Sequence, residues 1–167
     1  MIRLSPAVFA LVLSAALSAQ GPQPAAGAFD RLKALEGQWI DLDGVLGPKG
    51  AVVATYKVTS GGHSVIEVFP AGTPHEMTTV YYRDGSHVAL THYCADGTQP
   101  RMRAKEISGN TLKFDFDGGP KIEPAKTTHM HDMTFEFISK DEIKAVWQAW
   151  AKGKPDHAGV LHLARKK

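Results

Sequence analysis

The stretch Leu35-Glu36-Gly37-Gln38-Trp39 marks a change of pattern along the chain. Before it, Phe29 and Leu32 precede Leu35 at intervals of three residues, which predicts a short amphipathic helix. The glycine of the stretch ends that pattern. From its tryptophan onward, apolar and polar residues alternate, as in half-buried strands. The stretch therefore predicts a short helix followed directly by the first strand of a β domain.

The N-terminal residues resemble an export signal. Arg3 precedes the apolar run Val8–Leu17, and small residues follow it. This run is too short to span a membrane, so we expect residues 1–19 to be a cleaved signal peptide of a periplasmic or secreted protein. Residues 20–28 are rich in Gly, Pro and Ala and predict a flexible lead-in. The folded domain is then expected at 29–167.

Glycine-containing turns recur about every dozen residues through this domain and predict an antiparallel meander. We expect nine or ten strands. Their predicted centres are Trp39, Val53, Ile66, Thr79, Leu90, Arg103, Phe114, Phe135, Val146 and Leu161. An open sheet of this kind would leave two raw edges, and closure into an all-β barrel removes them.

Composition excludes some classes of function. The formal net charge is only +2, and Lys and Arg are not clustered as in a nucleic-acid-binding surface. Cys94 is the only cysteine, so no internal disulfide stabilises the domain. This thiol is either a small buried apolar group or a functional nucleophile.

Two strands have a clear inner face. Their alternating apolar residues are Leu112, Phe114 and Phe116 in one strand and Met133, Phe135 and Phe137 in the other. Residues 117–128 between these strands contain two glycines and two prolines and no strand pattern. A loop of this length is either a flap over a cavity mouth or a surface excursion.

His129 and His131 share the alternation of Met133 and are expected to point inward with it. Two imidazoles two residues apart on a strand can contribute to a zinc, copper or iron site. Alternatively, they hydrogen-bond an anionic ligand or cap the end of the barrel.

His92 and Cys94 share the alternation of Leu90, which places an imidazole and a thiol on one face of a strand. They are either ligand-binding groups or a nucleophile with its base. The alternative is a structural pair, in which a buried histidine is satisfied by a backbone carbonyl beside a buried cysteine.

Three further positions are candidates for ligand binding. His75 and Tyr81 belong to one face of a strand whose mixed polarity is typical of a cavity wall. Arg101 faces water if Met102 faces inward; otherwise it can bind a carboxylate or phosphate. Trp147 lies among small alanines and is either a cavity wall or core.

The chain resembles the calycin superfamily, which includes lipocalins, fatty-acid-binding proteins and haem-binding nitrobindins. The resemblance is carried by Gly37-Gln38-Trp39 and by the terminal strand Leu161-His162-Leu163-Ala164-Arg165. It implies that Trp39 packs under Arg165. It also implies that Gly37, like these two residues, has a structural role and does not bind the ligand. Four inner segments resemble exported bacterial lipocalin-like proteins. These segments are Thr73-Pro74-His75-Glu76-Met77, Thr91-His92-Tyr93-Cys94, Gln99-Pro100-Arg101-Met102 and His129-Met130-His131.

We expect an exported, monomer-sized barrel that binds a small hydrophobic or amphipathic molecule in its interior, and the resemblance adds haem and a carboxylate lipid as candidate ligands. Its walls are expected to be Phe114, Met133, Phe135 and Phe137, and its polar groups Tyr81, His92, His129 and His131. Two alternatives remain open: an enzyme that depends on the His and Cys residues or on a metal, and an interaction module of the cell envelope with a filled barrel.

Overall fold

The computed structural model describes residues 24–167. One helix precedes ten strands, and a single 3₁₀ turn (Ser60–Gly62) joins the second strand to the third. The elements are α1 (Pro24–Lys33), β1 (Gly37–Asp41), β2 (Val52–Thr59), β3 (Ser64–Phe69), β4 (Met77–Asp84), β5 (His87–Tyr93), β6 (Arg101–Ser108), β7 (Thr111–Phe116), β8 (His129–Ser139), β9 (Glu142–Ala151) and β10 (Lys154–Arg165).

The ten strands form a closed antiparallel barrel. Each strand pairs with its neighbours in sequence, and β1 pairs with β10 to close the sheet. Every predicted strand centre lies in a separate strand, so the predicted fold class is confirmed. The number of strands exceeds the eight of lipocalin barrels. Closure pairs both outer strands of the sheet, which explains how so long a meander can exist as a single sheet.

The helix α1 begins earlier than predicted. Residues 24–28 belong to it, so the last part of the predicted lead-in is wrong, whereas residues 1–19 lie outside the described residues. Pro24 suits the first turn of a helix because its missing N–H needs no partner there. Ala25 and Ala28 continue the buried stripe of Phe29 and Leu32 toward the N-terminus. Because alanines are small and weakly apolar, the sequence pattern did not reveal that the helix extends through them.

The helix covers one end of the barrel. Arg31 donates hydrogen bonds to the carbonyl of Gly109 (2.8 Å) and to the side chain of Asn110 (3.1 Å), in the turn between β6 and β7. Its guanidinium lies 4.1 Å from the centre of the Phe137 ring. Among residues 24–167, no helix combines the length and apolar character that a membrane crossing requires.

The half of the barrel next to α1 is filled with side chains. The largest fully buried ones are Leu32, Trp39, Tyr81, Leu90, Met102, Leu112, Phe114, Met133, Phe135, Ile143 and Leu163. The aromatic residues expected to form ligand walls, Phe114, Phe135 and Phe137, belong to this core together with Met133. None of the four lines the cavity at the opposite end of the barrel, so the structure places them in the packed core and not in that wall.

Candidate ligand-binding site

A cavity occupies the other end of the barrel. Its volume is about 140 Å³ and its lining is mostly apolar. The lining residues are Val45, Leu46, Glu67, Phe69, Met77, Thr79, His92, Met130, Trp147, Gly159, Val160 and Leu161. The barrel is therefore filled at the helix end and hollow at the opposite end.

A row of polar side chains crosses four neighbouring strands inside the barrel. Tyr56 on β2 pairs in register with Glu67 on β3, Glu67 pairs with Thr79 on β4, and Thr79 pairs with His92 on β5. Residues opposite each other in a sheet share a face, and all four are buried. The row therefore forms a polar band inside an otherwise apolar interior.

Glu67 is the acceptor of this band. Its two carboxylate oxygens accept hydrogen bonds from the hydroxyls of Tyr56 (2.9 Å) and Tyr81 (2.6 Å). Burial raises the pKa of Glu67, and the neighbouring hydroxyls act against that rise. Burial and the adjacent Glu67 charge raise the pKa of Tyr56 and Tyr81 well above the ordinary value, so both phenols stay protonated.

His92 is the member of the band with an unused polar atom. Its Nδ1 lies 2.9 Å from the Thr79 hydroxyl, whereas its buried Nε2 has no hydrogen-bond partner among the described residues. The side chain is only 4% exposed. Burial lowers the pKa of His92 to about 4, so the imidazole is neutral at pH 7. Its ring lies 4.8 Å from that of Trp147, centre to centre.

The loop between β1 and β2 lies over the cavity and contributes Val45 and Leu46 to its lining. The Asp41 carboxylate anchors this loop by accepting hydrogen bonds from the backbone N–H groups of Asp43 (3.0 Å) and Leu46 (2.8 Å). Burial favours the neutral carboxyl, but these backbone donors outweigh it and lower the pKa of Asp41. Val45 is 68% exposed, so the loop leaves an apolar side chain at the opening of the cavity.

Several sequence-predicted residues lie where expected. His92 and Trp147 both line the cavity. Thr79 and Met77 line it as well, so the face assigned to their strand is correct, and Tyr81 lies on the same face. Tyr81 does not itself line the cavity, but its hydroxyl is bonded to the lining residue Glu67.

The expectation that His129 and His131 both point inward with Met133 is wrong. The pairing of β8 with β9 shifts between Met130 and Asp132, which makes His131 the extra residue of a bulge. His129 consequently pairs with Trp150, and Met130 takes the place in the cavity lining. Alternation of side chains cannot be followed through an inserted residue, and nothing local in His129-Met130-His131 marks the insertion.

The two histidines form an aromatic cluster with Phe116 and Trp150. The His131 ring stacks on Trp150 with 3.8 Å between ring centres and lies 5.2 Å from Phe116. His129 Nδ1 lies 2.8 Å from the carbonyl of Thr127, so this nitrogen carries the proton. His129 Nε2 then accepts from His131 Nδ1 at 3.0 Å. The two imidazoles of the cluster are thus hydrogen-bonded, whereas the buried Trp150 Nε1 has no hydrogen-bond partner among the described residues.

The 117–128 loop is not a flap over the cavity, since none of its residues line it. Its glycine turn packs on the start of β6: Arg101 donates its backbone N–H to the Gly118 carbonyl at 2.7 Å. The loop carries Asp117, whose carboxylate pairs with Arg101 at 3.0 Å. Of the two predicted alternatives, a flap over the cavity mouth or a surface excursion, the structure therefore supports the surface excursion.

Three other predicted ligand-binding residues lie away from the cavity. His75 is exposed in the turn before β4, and Arg101 is exposed beside Asp117. Cys94 is half-buried and its sulfur lies 3.8 Å from that of Met77. Neither ring nitrogen of His92 is hydrogen-bonded to the thiol, so Cys94 and His92 do not form a hydrogen-bonded nucleophile and base.

Glu67 was not predicted as a site residue. In Ser64-Val65-Ile66-Glu67-Val68-Phe69, both faces of the strand carry apolar residues, so alternation favours Ile66 and Val68 as the inner pair. The structure places Val65 and Glu67 inside instead. A lone glutamate within an apolar strand was the only signal, and it does not indicate a face.

A comparison of the chain with protein-family models gave no match, and a comparison with curated proteins gave no significant match. Within residues 24–167, no three His, Cys, Asp or Glu side chains form a group that could hold a metal ion.

Proposed function

We propose that this protein is an exported binder of small, mostly apolar molecules, which it encloses at the open end of a calycin-like barrel. One observation carries the proposal: the barrel encloses an apolar cavity, and one of its lining residues is His92, whose buried Nε2 has no hydrogen-bond partner among the described residues. Leaving a buried polar atom unpaired costs about 1–3 kcal/mol. A ligand that bonds to His92 Nε2 removes that cost, which favours a binding role over a merely filled core.

The size of the cavity limits the ligand. Its volume of about 140 Å³ is close to the roughly 150 Å³ of an engineered apolar cavity that holds benzene. Pockets that enclose drug-sized ligands are larger, at about 300–1,000 Å³. The favoured ligand is therefore the size of a single substituted ring, or a larger molecule of which only one such part is enclosed.

Haem does not fit this site. Its iron lies at the centre of a wide macrocycle, so ligation by His92 would require the macrocycle to enter the barrel, where the cavity is less than half the size of an ordinary cofactor pocket. A carboxylate lipid is also disfavoured. Arg101 lies outside, and the ionisable side chain in the cavity wall besides His92 is the acidic Glu67.

The calycin assignment rests on topology and on two residues. A closed antiparallel meander, a helix across one end, and the contact between Trp39 and Arg165 at the closing pair of strands support it. Export rests on the sequence of residues 1–19. N-terminal sequencing of the chain recovered from its native host tests export directly: a start near Gln20 supports it, and an intact leader contradicts it.

Binding is tested by titrating the purified protein with toluene and following the methionine methyl groups by NMR. Met77 and Met130 line the cavity, whereas Met102 and Met133 lie in the filled core. We expect toluene to shift the first pair and leave the second pair in place. Shifts in neither pair contradict the proposed function.

A matched pair of variants locates the ligand. Gly159 pairs with Trp147 and faces the cavity, and a Cβ added there meets no atom within 4 Å. Gly159→Leu should therefore fill the cavity and abolish toluene binding without unfolding the protein. Ala158→Leu, one residue earlier on the exposed face of β10, is the control and should bind toluene normally. Equal binding by both variants would place the ligand elsewhere.

A further inference from the structure

Strand β10 extends well past the strand that closes the barrel against it. It has twelve residues and β1 has five, and the two are joined over three residue pairs that end at Asp41 and Leu163. One more backbone bond follows, from the Leu42 N–H to the His162 carbonyl at 3.0 Å. Residues 154–160 lie beyond that bond and are all exposed. Among the described strands, this part of β10 therefore has a neighbour only on its β9 side.

Val160 carries free backbone groups at this edge. In an antiparallel strand, the backbone groups of successive residues point alternately to one neighbour and to the other. His162 directs its carbonyl to Leu42, away from β9, and the register with β9 is regular from Ala158 onward. The N–H and C=O of Val160 therefore also point away from β9, where no group of residues 24–167 is hydrogen-bonded to them. Such an exposed pair is a template for a further strand.

The same edge borders the cavity. Gly159 and Val160 belong to the cavity lining, together with Val45 of the β1–β2 loop. Gly159 is exposed to solvent although it lines the cavity, whereas Trp147, its partner on β9, is buried. The cavity therefore opens along the free edge of β10.

We infer that the partner of this site is an extended peptide segment, which pairs antiparallel with the free edge of β10 and inserts one aromatic side chain into the cavity opposite Gly159. This inference rests on the proposed function, since the cavity is the same. It makes the enclosed ring one part of a larger molecule, whose backbone stays outside the barrel.

Gly159 determines where the aromatic side chain enters. A residue placed opposite it on an added strand shares its face of the sheet and points into the barrel. A Cβ at Gly159 would meet no atom of residues 24–167 within 4 Å, so the glycine leaves this space open. An aromatic side chain opposite an edge glycine covers it. The cavity volume of about 140 Å³ suits one ring, and the apolar lining favours phenylalanine over a charged residue.

The experiment titrates the full chain with a neutral peptide of sequence Ser-Thr-Phe-Thr-Ser, with both ends blocked. In the antiparallel register, the threonine before phenylalanine faces Val160. N-methylation of that threonine should weaken binding about tenfold, because one backbone hydrogen bond is lost. N-methylation of the phenylalanine is the control and should change the affinity by less than about twofold, because this N–H points away from β10. The same peptide with alanine in place of phenylalanine should not bind measurably. NMR shifts of the Met77 and Met130 methyls and of the Val160 amide give the dissociation constants.

A pair of variants tests the edge from the side of the protein. Val160→Pro removes the free N–H at an edge position, where a strand tolerates proline. It should weaken peptide binding about tenfold and leave toluene binding unchanged. Val160→Ala keeps the N–H and should bind the peptide nearly as well as the wild-type protein. Circular dichroism confirms that both variants are folded, and the N-methylated peptides test the same bond without any substitution.

The outcomes separate the inference from the proposed function. Equal affinities for the two N-methylated peptides, or for the alanine and phenylalanine peptides, would overturn the inference, as would binding of toluene without binding of the peptide. The proposed function would stand in each case if toluene still shifts the Met77 and Met130 methyls. A dimer in solution that Val160→Pro dissociates would assign the edge to a second copy of the chain and also overturn the inference. If neither toluene nor the peptide shifts these methyls, the inference and the proposed function both fail.

Discussion

The guanidinium of Arg165 lies 4.7 Å from the centre of the Trp39 ring, at the pair of strands that closes the barrel. The same group donates hydrogen bonds to carbonyls of the α1–β1 connection and of the turn between β8 and β9, and to one carboxylate. These acceptors are Ala34 (2.7 Å), Glu36 (2.7 Å), Lys140 (3.1 Å) and Asp141 (3.0 Å). One side chain thus joins the first strand, the last strand and the helix.

Arg165→Lys should destabilise the barrel although it keeps the charge. An ammonium group lacks the planar fork of donors and cannot satisfy both sets of carbonyls. We expect a loss of about 2 kcal/mol in the free energy of unfolding, measured by urea denaturation. Lys166→Ala is the control, because its exposed side chain makes one hydrogen bond to Gln38 and should change stability by less than about 0.5 kcal/mol. Equal losses in the two variants would contradict this role for Arg165.

Gly119 is required for steric reasons. A Cβ at this position would lie 2.7 Å from the backbone oxygen of Gln99 and 3.2 Å from the Cα of Pro100, both of which are main-chain atoms. Gly119→Ala should therefore force the 117–128 loop away from the segment before β6 and cost about 1–3 kcal/mol. Thermal unfolding monitored by circular dichroism measures the change.

Gly27 provides the opposite control for that substitution. It lies within α1, and an added Cβ there meets no atom of residues 24–167 within 4 Å. Gly27→Ala should stabilise the protein by about 0.5–1 kcal/mol, because alanine loses less conformational freedom in a helix. If both alanine variants changed stability in the same direction, contact at Gly119 would not be the cause.

The fold could be predicted from the sequence because its signals are short-range and repeated. A glycine turn about every dozen residues and a period of two between turns determine strand number and order, and edge exposure then favours closure. The alternation of Trp147 with Ala145 and Ala149 left a cavity wall and the core as alternatives, and the structure has this residue in the wall. Each of these signals depends on neighbours within one strand.

The polar band could not be predicted because it runs across strands. Glu67, Thr79 and His92 are far apart in sequence and meet only through the register of β3, β4 and β5. The His129 and His131 placement failed for a related reason. A single bulge reverses the faces of every residue beyond it, and a bulge at His131 leaves no mark in composition.

Cys94 should be a slow nucleophile. Burial raises the pKa of its thiol, so the reactive thiolate is scarce at neutral pH. We expect iodoacetamide to modify native Cys94 at least several-fold more slowly than the urea-unfolded chain at pH 7.5, with mass spectrometry as the measurement. Cys94→Ala should also bind toluene as the wild-type protein does. Rapid modification of the native thiol, or loss of binding in the variant, would instead support a functional cysteine.

His92 should make stability depend on pH in the acidic range. Its pKa is about 4 in the folded protein and ordinarily 6.5, so between these values the unfolded chain binds a proton that the folded protein does not. The contribution of His92 to the free energy of unfolding is therefore fully present above about pH 6.5, and it is lost as the pH drops toward 4. The loss from this group can reach about 3 kcal/mol.

His92→Gln isolates this contribution because glutamine does not titrate. Glu67 and Asp96, the charged groups near the imidazole, titrate in both proteins, and Asp96 partly opposes the shift through its charge. His131 has a pKa lowered chiefly by burial and contributes with the same sign to both. The wild-type protein should therefore lose stability more steeply than the variant in urea titrations between pH 7 and pH 4. Parallel curves would mean that folding leaves the pKa of His92 at its ordinary value, which would contradict its burial as a neutral imidazole.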